Sequence, residues 1–164
     1  MAKYQFTGLE EYARYLQRIG ANTPEICGSA VYAMADIVAD KVRDNLNALP
    51  TVTEFEALES FKKGQKVGLT NAQKKGLQEG FGISSMQNDN GFYNVKLGFD
   101  GYNKVETRQY PKGQPNALIA RATESGSSVR DKTPFMRPAV TATRKEAIEK
   151  AKVVVSMKIY QIKE

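Results

Sequence analysis

Histidine is missing from these 164 residues, and cysteine occurs once, at Cys27. Without histidine the commonest general acid–base and the commonest zinc ligand are both gone, which excludes Ser–His and Cys–His catalysis and ordinary zinc sites. A lone thiol forms no internal disulfide, suits a reducing compartment and reads as a small buried residue. No uncharged apolar run approaches the ~18–20 residues that a membrane span needs, and no basic-then-apolar leader opens the chain. No GK[ST] or GxGxxG placement offers a cradle for nucleotide phosphates. The expectation is a soluble protein made in the cytoplasm, without enzymatic activity, metal, cofactor or membrane partner.

What is present is charge, unevenly spread. The net charge is +6, yet residues 1–60 hold five basic against nine acidic residues, and residues 61–164 hold nineteen against nine. Such a chain can meet copies of itself head to tail, acidic region on basic region, or turn a basic face to nucleic acid. A solvated mixed surface is the plainer alternative.

Helical periodicity dominates the first 64 residues. Thr7 and Glu10 have capping-box spacing before Leu9, Tyr12, Ala13, Leu16 and Ile19, and Gly20 closes that helix. Thr23, Pro24 and Glu25 start a second helix of six to seven turns on the apolar stripe Cys27, Ala30, Val31, Met34, Ala35, Val38, Val42, Leu46 and Leu49. Asp36, Asp40 and Asp44 line its outer face; with Lys41 and Arg43 beside them they read as a solvated face, not a cation site. Pro50 ends the helix. Thr53 and Glu56 then cap a short third one carrying Phe55, Leu58 and Phe61, closed by Gly64.

Residues 65–117 form the β and loop region. KKGQKVGLTNAQKK holds Lys62, Lys63, Lys66, Lys74 and Lys75, with a brief helix capped by Thr70 and Gln73. Strands at 83–87 and 92–99 flank NDNG, whose Asn90–Gly91 pair favours a tight hairpin. In the second strand Tyr93, Val95, Leu97 and Phe99 alternate with Asn94, Lys96 and Gly98, predicting one buried and one wet face. The aperiodic stretch from Asp100 to Ala117 predicts a long mobile loop bearing Tyr102, Tyr110, Pro111 and Pro115.

Residues 118–164 read as short helix, loop and long amphipathic helix. Gly126 stops the short helix, and Pro138 suits the first position of the last one. Phe135 and Met136, between Pro134 and Pro138, either anchor that helix onto the sheet or pack across a subunit boundary. Glu124 either satisfies backbone donors or pairs with Arg121 or with a neighbouring subunit's Arg137. The expected architecture is one α+β domain over residues 1–164, a small antiparallel β-sheet packed against long N-terminal and C-terminal helices.

GLTNAQKKGLQEGFGI (68–83), GFYNVKLGFDGYN (91–103), YPKGQPNALIARATESGSS (110–128) and KTPFMRPAV (132–140) together resemble the tail-completion family of long-tailed bacteriophages, the minor tail or head–tail joining proteins. Order and spacing, not any one motif, carry the likeness. Ser127 stands where the family tends to have threonine, which keeps the hydroxyl. The resemblance implies a structural virion protein, assembled in the host cytoplasm into a ring, usually a hexamer, at the end of the tail tube. It implies contact with the tail tube protein and the head connector or stopper protein, and passage of DNA through the lumen. Tyr102, Tyr110, Glu124, Phe135, Met136 and Arg137 are the interface candidates, and the five lysines are candidates to face the lumen. The rival reading is a sequence-nonspecific nucleic-acid binder using those lysines on phosphates and Tyr102 or Tyr110 for stacking. A third, a metal-dependent nuclease using carboxylates alone, finds its acids scattered without a convergent trio.

Overall fold

The structure, a computed structural model of the chain, describes residues 8–163. Thr7, expected to cap the first helix, lies outside them. Helix α1 (Leu9–Ala21) has Gly8 at its N-cap, in the left-handed conformation. Helix α2 (Thr23–Ala48) carries Pro24 in its first turn, where a missing N–H costs nothing, and stops ahead of Pro50. Both expected capping boxes form. Thr53 and Glu56 exchange bonds of 2.8 and 3.2 Å at the head of α3 (Glu54–Lys62), and Thr70 and Gln73 exchange bonds of 3.3 Å at the head of α4 (Asn71–Gly80). Helix α5 spans Asn116–Ser125 and ends on Gly126, whose φ of +78° needs no Cβ. Helix α6 spans Met136–Lys163, two residues earlier than Pro138 alone predicts.

The long helices α2 and α6 lie side by side and antiparallel. At one end Asn45 of α2 donates to the Phe135 carbonyl at the head of α6 at 2.9 Å; at the other, Lys158 near the end of α6 reaches Glu25 at 2.7 Å. Small residues, Ala35 and Ala39 on α2 and Ala139, Thr143 and Ala147 on α6, are buried between elements, so the axes approach closely. Cys27 is half-buried, less enclosed than its type suggests.

The hairpin turn forms at Asn90–Gly91, φ +54° and +91°, as the type I′ geometry demands. Its arms are interrupted. Strands β1 (Phe81–Ile83) and β4 (Leu97–Phe99) pair antiparallel with Ile83 opposite Leu97, and β2 (Gln87–Asp89) pairs with β3 (Phe92–Asn94) with Gln87 opposite Asn94. Three residues, 84–86, therefore face two, 95 and 96: a bulge. Ser84 closes it by accepting from the Lys96 N–H on its hydroxyl and donating its own N–H to the Lys96 carbonyl. Met86 of the bulge donates its N–H to the Tyr32 hydroxyl at 2.8 Å, and its side chain lies against Gly28, where a Cβ would meet the Met86 sulfur at 2.9 Å. Tyr93, Val95, Leu97 and Phe99 are all half-buried, Leu97 and Phe99 against the core, and Lys96 is exposed while Asn94 and Gly98 are half-buried, so the expected two-faced strand forms in part.

The core sits at the Asn45 end. Val42, Leu46 and Leu49 from α2, Leu77 from α4, Phe81 from β1, Ile119 and Ala120 from α5, and Phe135 and Ala139 close on one another. Phe81, Phe99 and Phe135 form an aromatic chain with centroids 5.1 and 5.8 Å apart, the second pair edge to face. The architecture is α+β, as expected: six helices and a small antiparallel β region among the described residues.

Candidate interaction surfaces

The head of α6 leaves four backbone donors without intrahelical partners. Glu124 of α5 takes three of them: its Oε2 accepts from Phe135 at 2.7 Å and Met136 at 2.9 Å, and its Oε1 from Arg137 at 3.0 Å. The fourth position is Pro138, which has no N–H. Proline therefore does its work in the third position of the helix, by deleting the donor the carboxylate cannot reach. Burial at 8% exposure pushes the Glu124 carboxyl upward, but the three amide donors and the Arg137 guanidinium outweigh it and hold it below its ordinary value.

This settles how several candidate residues sit within one chain. Phe135 is 1% exposed and anchors α6 against Phe99, so of its two readings the structure takes the anchoring one. Met136 is partly buried against the same core. Glu124 serves backbone donors, and the arginine beside it is its own chain's Arg137, at 3.7 Å. Of the six interface candidates, Arg137 and Tyr102 have exposed side chains and Tyr110 is half-buried.

The loop from Asp100 to Ala117 is irregular, as expected, but closed at its base. Tyr102 bridges Pro115, the buried Asn103 donates its N–H to the Gln114 carbonyl at 3.0 Å, and the Asn116 side-chain amide donates to the Asp100 carbonyl at 2.8 Å. Gly113, φ +98°, lies so close to the Asn103 carbonyl that no side chain fits there. Thr107 and Tyr110 exchange backbone bonds nearer the tip. Within the loop expected to be mobile, the base is thus held by hydrogen bonds inside the chain.

The five lysines do not form one array. Lys74 turns inward and donates to the carbonyls of Asn47 and Leu49 at 2.8 and 2.7 Å, closing the C-terminal end of α2. Lys66 donates to the Ser127 carbonyl at 2.6 Å. Lys62 pairs with Glu59 and Lys75 with Glu79, both on the surface, and Lys63 is exposed. Lys74 is thus committed to the fold, and a phosphate array would have to rest on the others.

Periodicity identified apolar faces correctly but not which way they point. Leu9, Tyr12 and Leu16 on α1 are exposed, Tyr12 at 61%, and α1 buries no residue fully. On α3, Phe55 at 73%, Leu58 and Phe61 face outward while Ala57 faces in. Val153, Met157 and Tyr160 are exposed along the second half of α6. Exposed large apolar side chains recurring along one helix are candidates for interaction sites. Among the described residues no group of three metal-ligating side chains comes together, and no helix is long and apolar enough to cross a membrane. Sequence reading passed over Arg130 and Thr123, both buried polar residues; they lie in aperiodic or small-residue contexts that carry no signal. Comparisons with models of known families, with curated proteins and with solved structures find no match to this chain.

Proposed function

We propose that this protein is a non-enzymatic structural component of a bacteriophage virion, a tail-completion or head–tail joining subunit. Copies assemble into a ring, sixfold as the resemblance of residues 68–140 implies, at the end of the tail tube, and the ring docks on the connector or stopper protein of the capsid. DNA passes through its lumen. Assembly takes place in the host cytoplasm and the product resides in the neck of the virion.

The observation that carries this reading is the uncovered apolar surface of α1 and of the second half of α6 on a chain whose core lies elsewhere. Among the described residues nothing covers Tyr12, Leu16, Met157 and Tyr160, and a neighbouring subunit would do so. The charge imbalance between residues 1–60 and 61–164 suits a head-to-tail contact, the kind that generates rings when the rotation closes. Ring-shaped particles by electron microscopy, and a scattering mass well above 18.2 kDa, are the expected results. Phage particles lacking the protein should accumulate full heads and finished tails unjoined; normal infectious virions in its absence would end the proposal.

Nonspecific nucleic-acid binding through Lys62–Lys75 has weaker support, because Lys74 is occupied by α2 carbonyls and the remaining lysines are dispersed. Were they to line a lumen, Lys62→Glu and Lys63→Glu would impair DNA passage more than ring assembly. Free DNA binding that falls steeply with salt would favour the rival reading.

A further inference from the structure

A cavity of about 240 Å3 lies between the segment that follows α2, the segment that precedes α4 and the loop that follows α5, lined by Leu49, Val52, Lys66, Thr123, Arg130 and Thr133 among others. Its walls are stitched by backbone bonds: Val52 N–H to Leu69, Val67 N–H to Val129 and Thr133 N–H to Thr123, between 2.7 and 2.9 Å. Arg130 in this wall is 8% exposed. Its Nη2 donates to Gln73 Oε1 at 2.6 Å, and Gln73 is itself held by the α4 capping box and by Gln114. Its Nη1 has no partner, and Arg130 makes no ion pair among the described residues. Thr123, also in the wall and 2% exposed, has a hydroxyl with no partner either.

A guanidinium stays charged in a protein, and an unpaired buried charge is among the most expensive things a fold can hold. Burial lowers the Arg130 pKa, the expected response of a cation lacking an anion. The other charges lining the cavity are Lys66, already bonded to the Ser127 carbonyl, and Asp131. Arg130 and Lys66 against Asp131 leave one positive charge unbalanced. A monoanion neutralises it, whereas a phosphate dianion overcompensates beside Asp131. The volume lies below the ~300–1,000 Å3 typical of pockets for drug-sized ligands, so the occupant is a group or a small acid.

We propose that this cavity is a carboxylate-binding site, in which Arg130 Nη1 and the Thr123 hydroxyl, both enclosed in its wall, turn toward the cavity and donate to the carboxylate oxygens. The carboxylate comes either from a small free acid or from an Asp or Glu side chain of a second copy.

The test uses the full-length chain, dilute, at neutral pH. Backbone amide resonances of residues 66–69, 123 and 130–133 are followed while sodium acetate replaces sodium chloride at constant ionic strength, with inorganic phosphate as a third series. Saturable shifts confined to these residues in acetate, weaker in phosphate and absent in chloride, are expected. Thr123→Val removes a hydroxyl that has no protein partner, so it should fold normally and weaken acetate binding roughly tenfold. Arg130→Met should abolish the acetate response if it folds. Raising protein concentration without acetate identifies the source: the same shifts, reversed by acetate, assign a second copy's side chain, and shifts with acetate alone assign a free acid. No site-specific response, an equal response to chloride, tighter binding of phosphate, or unchanged affinity in Thr123→Val overturns the proposal. Failure of ring assembly with a preserved acetate response would sink the proposed function and leave this site standing.

Discussion

Where α6 begins, α2, α4, α5 and β1 close around Phe135, a buried carboxylate takes three amide donors, and proline removes the fourth. Where α6 ends, α1 and the start of α2 are the elements beside it among the described residues, and Val153, Met157 and Tyr160 remain exposed. One pair of helices thus has a saturated end and an unsaturated end. The saturated end supplies the burial that holds the fold. At the other end Ile26 and Ala30 are buried, but Val153, Met157 and Tyr160 gain little within one chain, which is the arrangement expected of a subunit completed by a neighbour.

Substitutions should separate the two ends cleanly. Phe135→Ala opens a cavity against Phe99 and should cost about 3–5 kcal/mol of stability, measured by denaturant unfolding. A loss below about 1 kcal/mol would mean that the core does not depend on this end. Glu124→Ala strands three amide donors and should cost about 2–3 kcal/mol. The same cap makes stability depend on pH. Because the folded Glu124 carboxyl titrates below its ordinary 4.5, the unfolded chain takes the proton first as pH falls. The contribution is complete above 4.5 and vanishes as pH drops through the lower folded value, so the gap between wild type and Glu124→Gln should narrow in that acid range.

Gly76→Ala tests the packing of α4. Helix propensity alone would favour alanine by about 1 kcal/mol. The new Cβ, however, would lie 2.7 Å from both the Asn103 Cβ and the Asn116 Oδ1, and overpacking of this kind costs about 1–3 kcal/mol, so a net loss near 1 kcal/mol is expected. A more stable Gly76→Ala protein would show that the loop base yields. At the open end, Tyr12→Lys combined with Leu16→Lys should change the stability of the single chain by less than about 0.5 kcal/mol per site while abolishing self-association in sedimentation. If these changes unfold the chain, that end belongs to the core after all and the contrast fails.

Much of the molecule was legible along the chain. The capping boxes at Thr53 and Thr70, the stops at Pro50 and Gly126, and the Asn90–Gly91 turn all depend on neighbours within a few residues. What could not be read was every contact joining distant segments: Lys74 to the end of α2, Arg130 to Gln73, Tyr32 to the bulge at Met86. The bulge itself left no mark in the sequence, and the strand expected to run unbroken over 92–99 is split into β3 and β4 in consequence.

The amino-acid order by itself determined where helices start and stop, because caps, prolines and glycines act through local backbone geometry and a few hydrogen bonds. It determined that α1 and α3 each carry an apolar stripe. Only the tertiary structure decided that those stripes face away from the core while Phe135, on a short polar loop, lies at its centre. Periodicity specifies a face, and the side on which that face is buried depends on which distant element arrives to cover it.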